Sequence, residues 1–168
     1  MILLETERLF LRNTRPEDAA VMFDYRNNEL CARYQRGQTK DLPGIQKLVK
    51  DRMNDSVTDE ENFMLAVARK DSGEMVGEIV VMPNDGCFSI GYTFHYVHHR
   101  KGYAFEALSC LTDLLHRQYP QMEFISFTEP ENVASMALLK KLGYTDLGYA
   151  PKVESQVFGK WLQDDDWQ

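Results

Sequence analysis

The chain has 168 residues, 43% hydrophobic and 27% charged, the balance of one soluble globular domain spanning the whole chain, 1–168. Its formal charge of −7 argues against sequence-independent binding to nucleic acid, which rests on phosphate neutralisation, and suits a cationic or amine substrate. No stretch approaches ~18 consecutive apolar residues, and MILLETERLF lacks the basic segment and apolar core of a signal peptide, so a cytoplasmic protein without membrane contact is expected.

RLFLRN (Arg8 to Asn13) alternates Leu9 and Leu11 with charged neighbours, apart from Phe10, and reads as a strand. Thr14-Arg15-Pro16-Glu17 has the form of a capping box, opening a helix whose apolar face carries Ala19, Ala20, Met22 and Phe23. Asp41-Leu42-Pro43 opens a second helix with Ile45, Leu48, Val49 and Met53 on one side. Three strand-like runs follow, Phe63 to Ala68, Met75 to Met82 and Phe88 to Phe94. The turn signals Asp71-Ser72-Gly73 and Asn84-Asp85-Gly86 join them as hairpins. The period then becomes helical through Ala104, Ala107, Leu108, Leu111, Leu114 and Leu115, with His116 on its surface. Phe124 to Thr128 is a strand, Val133 to Leu142 a helix stopped by Gly143, and Thr145 to Tyr149 and Gln156 to Leu162 are closing strands. The order predicts an α+β fold, one mixed, mostly antiparallel sheet of about seven strands flanked by about four helices.

Cys31, Cys87 and Cys110 are odd in number and far apart. With no CxxC pair they support neither a disulfide framework nor a zinc site, and each is expected as a small core hydrophobe. His95, His98 and His99 lack a second ligand cluster, so no metal is expected.

HHRKGYAFEA (His98 to Ala107) gathers positive charge where a helix begins. A helix N-terminus presents unpaired N–H groups and the positive end of its dipole, a seat for phosphate. Gly102 would let backbone approach an anion closely, with Arg100 and Lys101 at the rim. A glycine that merely turns the chain explains the same residues. Neither GxxxxGK[ST] nor GxGxxG is present, so the known nucleotide loops do not apply.

Four segments in order resemble the GNAT superfamily of N-acetyltransferases, in the branch typified by the ribosomal-protein N-terminal acetyltransferases RimJ and RimL. They are ETERLFLRNTRPEDA (Glu5 to Ala19), SGEMVGEIVV (Ser72 to Val81), GYTFHYVHHRKGYAFEAL (Gly91 to Leu108) and ENVASMALLKKLGY (Glu131 to Tyr144). The ending QDDDW (Gln163 to Trp167) matches as well. The resemblance implies a sheet splayed between its fourth and fifth strands, here Phe88 to Phe94 and Phe124 to Thr128. It implies that acetyl-CoA is the acetyl donor, its pantetheine paired with the backbone of Tyr92 and Phe94. The pyrophosphate falls to the amides of His99, Arg100, Lys101, Gly102, Tyr103 and Ala104, and a further cofactor contact to Asn132. The acceptor implied is a primary amine, either a protein or peptide α-amine or a small amine. A homodimer is compatible with the sequence.

The chain departs from that pattern in places. His99 stands where the loop usually has Arg or Gln, and Arg100 where glycine is common. Ser89 in SIGY replaces a glutamate often present as the base. A lysine-type amine with pKa ~10.4 is almost wholly protonated at pH 7, so some base must take its proton. Glu129 is the leading candidate, with Glu78, expected as the outward residue of a hairpin strand, and His95 behind it. Leu139 stands where many members place an acidic tyrosine. The resemblance offers Ser135 as the acid, while a first-turn helix serine can equally bond local backbone. Two functions stay open: an acetyl-CoA-dependent N-acetyltransferase acting by direct attack in a ternary complex, or an acyl-CoA-binding sensing module that has lost catalysis.

Overall fold

A computed structural model describes residues 1–163, so the QDDDW ending lies outside the described residues except for Gln163. The N-terminal hairpin pairs β1 (Ile2–Glu5) with β2 (Leu9–Arg12), and Leu9 and Leu11 are fully buried, as their alternation requires. Helices α1 (Asp18–Arg26), α2 (Glu29–Ala32) and α3 (Leu42–Asp51) follow. The antiparallel meander is β3 (Phe63–Arg69), β4 (Met75–Asn84) and β5 (Cys87–Phe94). Asp85 and Gly86 both take positive φ, 48° and 77°, the pair a tight hairpin turn demands. Helix α4 (Tyr103–Gln118) crosses over to β6 (Glu123–Thr128), parallel to β5, and α5 (Val133–Lys141), β7 (Thr145–Ala150) and β8 (Ser155–Lys160) complete the chain.

The single eight-stranded sheet has the order β1-β2-β3-β4-β5-β6-β8-β7. Each face is covered by its own core. Phe88, Phe124, Phe158, Leu108 and Leu111 pack with α4 and α5 on one side; Met22, Tyr25, Ile45 and Val49 pack under α1 and α3 on the other. Burying each such side chain contributes roughly 1.5–3 kcal/mol.

Among the described residues the sheet has one strand more than the sequence suggests, and there is one helix more, the short α2. Ile2–Glu5 joins the rim through an unbroken apolar run followed by Thr6-Glu7-Arg8, with no glycine or proline to mark the turn. Thr14 does not cap α1: its hydroxyl donates to the Val49 carbonyl at 2.9 Å. The N-cap is Glu17, with no side-chain cap among the described residues; Asp18 in the first turn accepts from the Arg15 N–H at 2.8 Å and holds buried Arg12 through two hydrogen bonds of 2.8 and 2.9 Å. The buried face of α1 is Ala19, Met22, Tyr25 and Arg26; Ala20 and Phe23 face solvent. Asp41 does cap α3, accepting from the Gly44 N–H. Cys31 is buried, while Cys87 and Cys110 are half-buried. His116 is not a free surface residue, since its ring stacks on Trp161 with centroids 4.0 Å apart.

Candidate active site

The parallel ladder between β5 and β6 holds Cys87 against Glu123 and Phe88 against Phe124, and goes no further. Past Phe88 the strands no longer pair, leaving a slot at their C-terminal ends. The His95 N–H donates to the Val76 carbonyl of β4. Backbone alternation therefore turns Thr93, Gly91 and Ser89 toward β4, and Phe94, Tyr92 and Ile90 toward the slot. Side-chain partners agree with this: the Tyr92 carbonyl accepts from Gln35 Nε2 at 3.2 Å, and the Phe94 carbonyl from His99 Nε2 at 2.7 Å.

At the end of β5 a short 3₁₀ turn (Tyr96–His98) leads to α4. Gly102 sits at the helix N-cap with φ 80°, and no side chain caps the helix, so the first-turn N–H groups face outward unclaimed by a side chain. A Cβ at Gly102 would come within 3.4 Å of Arg8 Nη2. Arg100 adopts φ 64°, a left-handed conformation at the position where the sequence departs from glycine. Among the described residues, neither Arg100 nor Lys101 has a carboxylate partner. Arg8, by contrast, is held by Glu106 in the first turn of α4 at 2.7 Å. Burial would raise the Glu106 pKa, but hydrogen bonds from Thr6 and Arg8 outweigh it and hold the carboxyl below its ordinary value.

Across the slot, α5 is capped by Asn132, whose Oδ1 accepts from the Ser135 N–H at 3.2 Å. The Ser135 hydroxyl lies 2.8 Å from the Tyr92 hydroxyl. Burial raises the Tyr92 pKa, against the smaller lowering effect of Ser135, so the phenol keeps its proton. Glu129, just past the end of β6, is bound through Oε1 by Arg36, whose Nε lies at 2.7 Å.

The segment between α2 and α3 ties both walls together. Tyr34 donates to the Glu131 carbonyl, Gln35 to Tyr92, and Gln38 to the Thr93 hydroxyl. Arg36 reaches the Val153 and Glu154 carbonyls besides Glu129.

Residues 8–145 match the family model described as acetyltransferase (GNAT) domain. The chain belongs to the GNAT acetyltransferase family. As a member it is an acetyl-CoA-dependent N-acetyltransferase. It is 24% identical over 151 residues to the uncharacterized N-acetyltransferase YnaD of Bacillus subtilis (strain 168), which covers 89% of this chain and 86% of that one. Its fold is shared with a GNAT-family acetyltransferase from Bacillus anthracis, at TM-score 0.79 and 22% identity over 95% of this chain and 96% of that one. It is shared too with the ribosomal L7/L12 alpha-N-protein acetyltransferase RimL in complex with coenzyme A, at TM-score 0.80 and 15% identity over 95% and 97%.

In this GNAT chain the base candidates differ sharply in how they are engaged. Glu78 is buried, not outward: Arg26 holds it with bonds of 2.8 and 2.5 Å and Tyr25 donates to it at 2.7 Å. His95 has both ring nitrogens occupied, Nε2 donating to Asp24 at 2.9 Å and Nδ1 accepting from the Val97 N–H. Ser89 is half-buried opposite Met82, and Leu139 is buried in the core. Among the described residues Glu129 is the candidate with an oxygen to spare, because the Arg36 contacts to it use Oε1. The His99 ring folds back onto the end of β5 and its N–H donates to the Tyr96 carbonyl at 3.4 Å, so both its side chain and its amide close the loop. Arg36 and the Tyr92 hydroxyl escape a reading of the sequence, since their partners lie 93 and 43 residues away.

Proposed function

We propose that the chain transfers an acetyl group from acetyl-CoA to a primary amine by direct attack within a ternary complex, with a protein or peptide α-amine as the first candidate acceptor and a small amine as the second. The observation that carries this reading is the slot itself. It lies where β5 and β6 part, flanked by the uncapped mouth of α4, with the Tyr92 and Ser135 hydroxyls meeting across it and the half-buried carboxylate of Glu129 at the end of β6. The RimJ/RimL-like motifs and the coenzyme A in the RimL complex of the same fold support it.

In this reading the amides from Arg100 to Ala104 take the pyrophosphate, the His99 N–H being held by the Tyr96 carbonyl; Arg100 and Lys101 screen it, and the slot-facing N–H groups of Tyr92 and Phe94, whose carbonyls accept from Gln35 and His99, align the pantetheine. Asn132 fixes the first turn of α5 and so the place of Ser135. Ser135 gives a hydrogen bond to the departing sulfur, and Glu129 takes the amine proton. Holding two reactants in one slot and supporting the oxyanion with backbone N–H groups supplies most of the acceleration.

The test is CoA release from acetyl-CoA in the presence of a pool of short peptides with free α-amines, and separately of spermidine. Glu129→Gln should lower kcat/KM by roughly 100-fold and remove the acid limb of its pH profile, as expected for loss of a general base. An unchanged profile would take Glu129 out of the mechanism. Acetyl-CoA binding with no CoA release from any acceptor would leave a sensing module in place of an enzyme.

Arg100→Gly separates strain from charge. A non-glycine left-handed residue costs roughly 1–2 kcal/mol, and glycine returns part of that as unfolded-state entropy. The variant should therefore unfold about 1–4 °C higher, while binding acetyl-CoA several-fold more weakly at low salt. A lower melting temperature would contradict the strain; unchanged affinity would remove Arg100 from the rim.

A further inference from the structure

We propose that the Tyr92 phenol is a positioning residue that aims the Ser135 hydroxyl into the slot, a role beyond the backbone pairing that β5 offers the donor. The inference rests on the reading of Ser135 as the hydrogen-bond donor to the departing thiolate.

A serine in the first turn of a helix ordinarily turns its hydroxyl onto nearby backbone, which would point its proton away from any ligand. Here the geometry is different. The Ser135 N–H is already satisfied by Asn132 Oδ1 at 3.2 Å, and Ser135 Oγ meets Tyr92 Oη at 2.8 Å. Tyr92 stands on β5 with its ring packed against the core beneath α4 and α5 and 6.5 Å from the ring of Phe94, so its hydroxyl has a fixed address. Tyr144, also buried, lies close enough for its charge state to feel Tyr92, and burial pushes both phenols up.

Either hydroxyl of this pair can donate, and Tyr92 is taken as the donor because a phenol, its lone pair drawn into the ring, gives a hydrogen bond more readily than it accepts one. With Tyr92 as donor, Ser135 Oγ acts as acceptor on that side, and its own proton is free to turn to the slot, polarised by the bond behind it. As the carbon–sulfur bond breaks, its electron pair goes to sulfur, which the Ser135 proton meets as a hydrogen bond. No proton needs to leave Tyr92. Removing the phenol oxygen lets Ser135 turn to backbone, so the loss falls on the chemical step and not on binding.

The experiment is a double-mutant cycle on Tyr92→Phe, Ser135→Ala and the pair, read as CoA release with the peptide pool and spermidine at saturating acetyl-CoA, with KM for acetyl-CoA measured alongside. Tyr92→Phe should lower kcat roughly 5–20-fold, the worth of one hydrogen bond in the transition state, with KM unchanged. In the Ser135→Ala background it should do nothing further. Equal losses in both backgrounds, or a loss confined to KM or to thermal stability, would overturn the proposal and leave Tyr92 as packing. A Ser135→Ala variant with wild-type kcat would instead overturn the acid role on which it rests. No CoA release by the wild type would overturn the enzyme reading along with it.

Discussion

Gly102→Asp should abolish acetyl-CoA binding, weakening it by roughly 100-fold or more, because it sets a carboxylate against the diphosphate in a site that works by positive potential. The backbone argues that the fold survives. Gly102 sits at φ 80°, and aspartate and asparagine are the side chains that visit the left-handed region most readily. The nearest atom to the new Cβ, Arg8 Nη2 at 3.4 Å, is the end of a flexible side chain. Gly102→Asn is the matched control: it has the same shape and strain without the charge. If the asparagine variant binds and the aspartate variant does not, charge at the mouth of α4 is the cause. Equal loss in both would point to a need for bare backbone, and full retention in the aspartate variant would place the diphosphate elsewhere.

Arg26→Leu should destabilise the protein by about 3–5 kcal/mol, the cost of stranding one member of a buried ion pair. Arg26 and Glu78 are 3% and 2% exposed, and the two bonds between them are backed by Tyr25 and by the Thr39 carbonyl, to which Arg26 Nη1 donates. Burial alone would lower the Arg26 pKa; the hydrogen bonds and charge of Glu78 overcome that and raise it. The melting temperature should fall by roughly 6–20 °C. Replacing both residues by apolar ones should restore much of the loss, since the pair need not beat a well-packed hydrophobic core. A loss below ~1 kcal/mol would show that solvent reaches the pair.

Local chemistry made much of the fold legible. The period of two in Leu9 and Leu11, the Asp85-Gly86 turn and the helical spacing from Ala104 onward each describe a constraint between near neighbours, and each is met. The helix start at Gly102 is met in the same way, since Gly102 and the residues it precedes are contiguous. What stayed hidden depends on partners distant in sequence. Alternation places Glu78 on one face of β4 but cannot say that α1 covers that face with Arg26. The capping box at Thr14 failed because Val49, 35 residues on, offers its hydroxyl a carbonyl. The segment from Tyr34 to Gln38 carries no motif, yet it ties β5 to Glu129, Glu131 and the Val153–Glu154 turn.

The most direct test of a donor site at the α4 mouth and slot is thermal unfolding of the wild type with and without acetyl-CoA, with NAD and ATP as controls. A ligand at ~100 times its Kd stabilises by ~2.7 kcal/mol, which for a chain of this size raises Tm by roughly 5–10 °C. The account predicts that shift with acetyl-CoA alone, and its loss in Gly102→Asp. No shift at millimolar acetyl-CoA would contradict it.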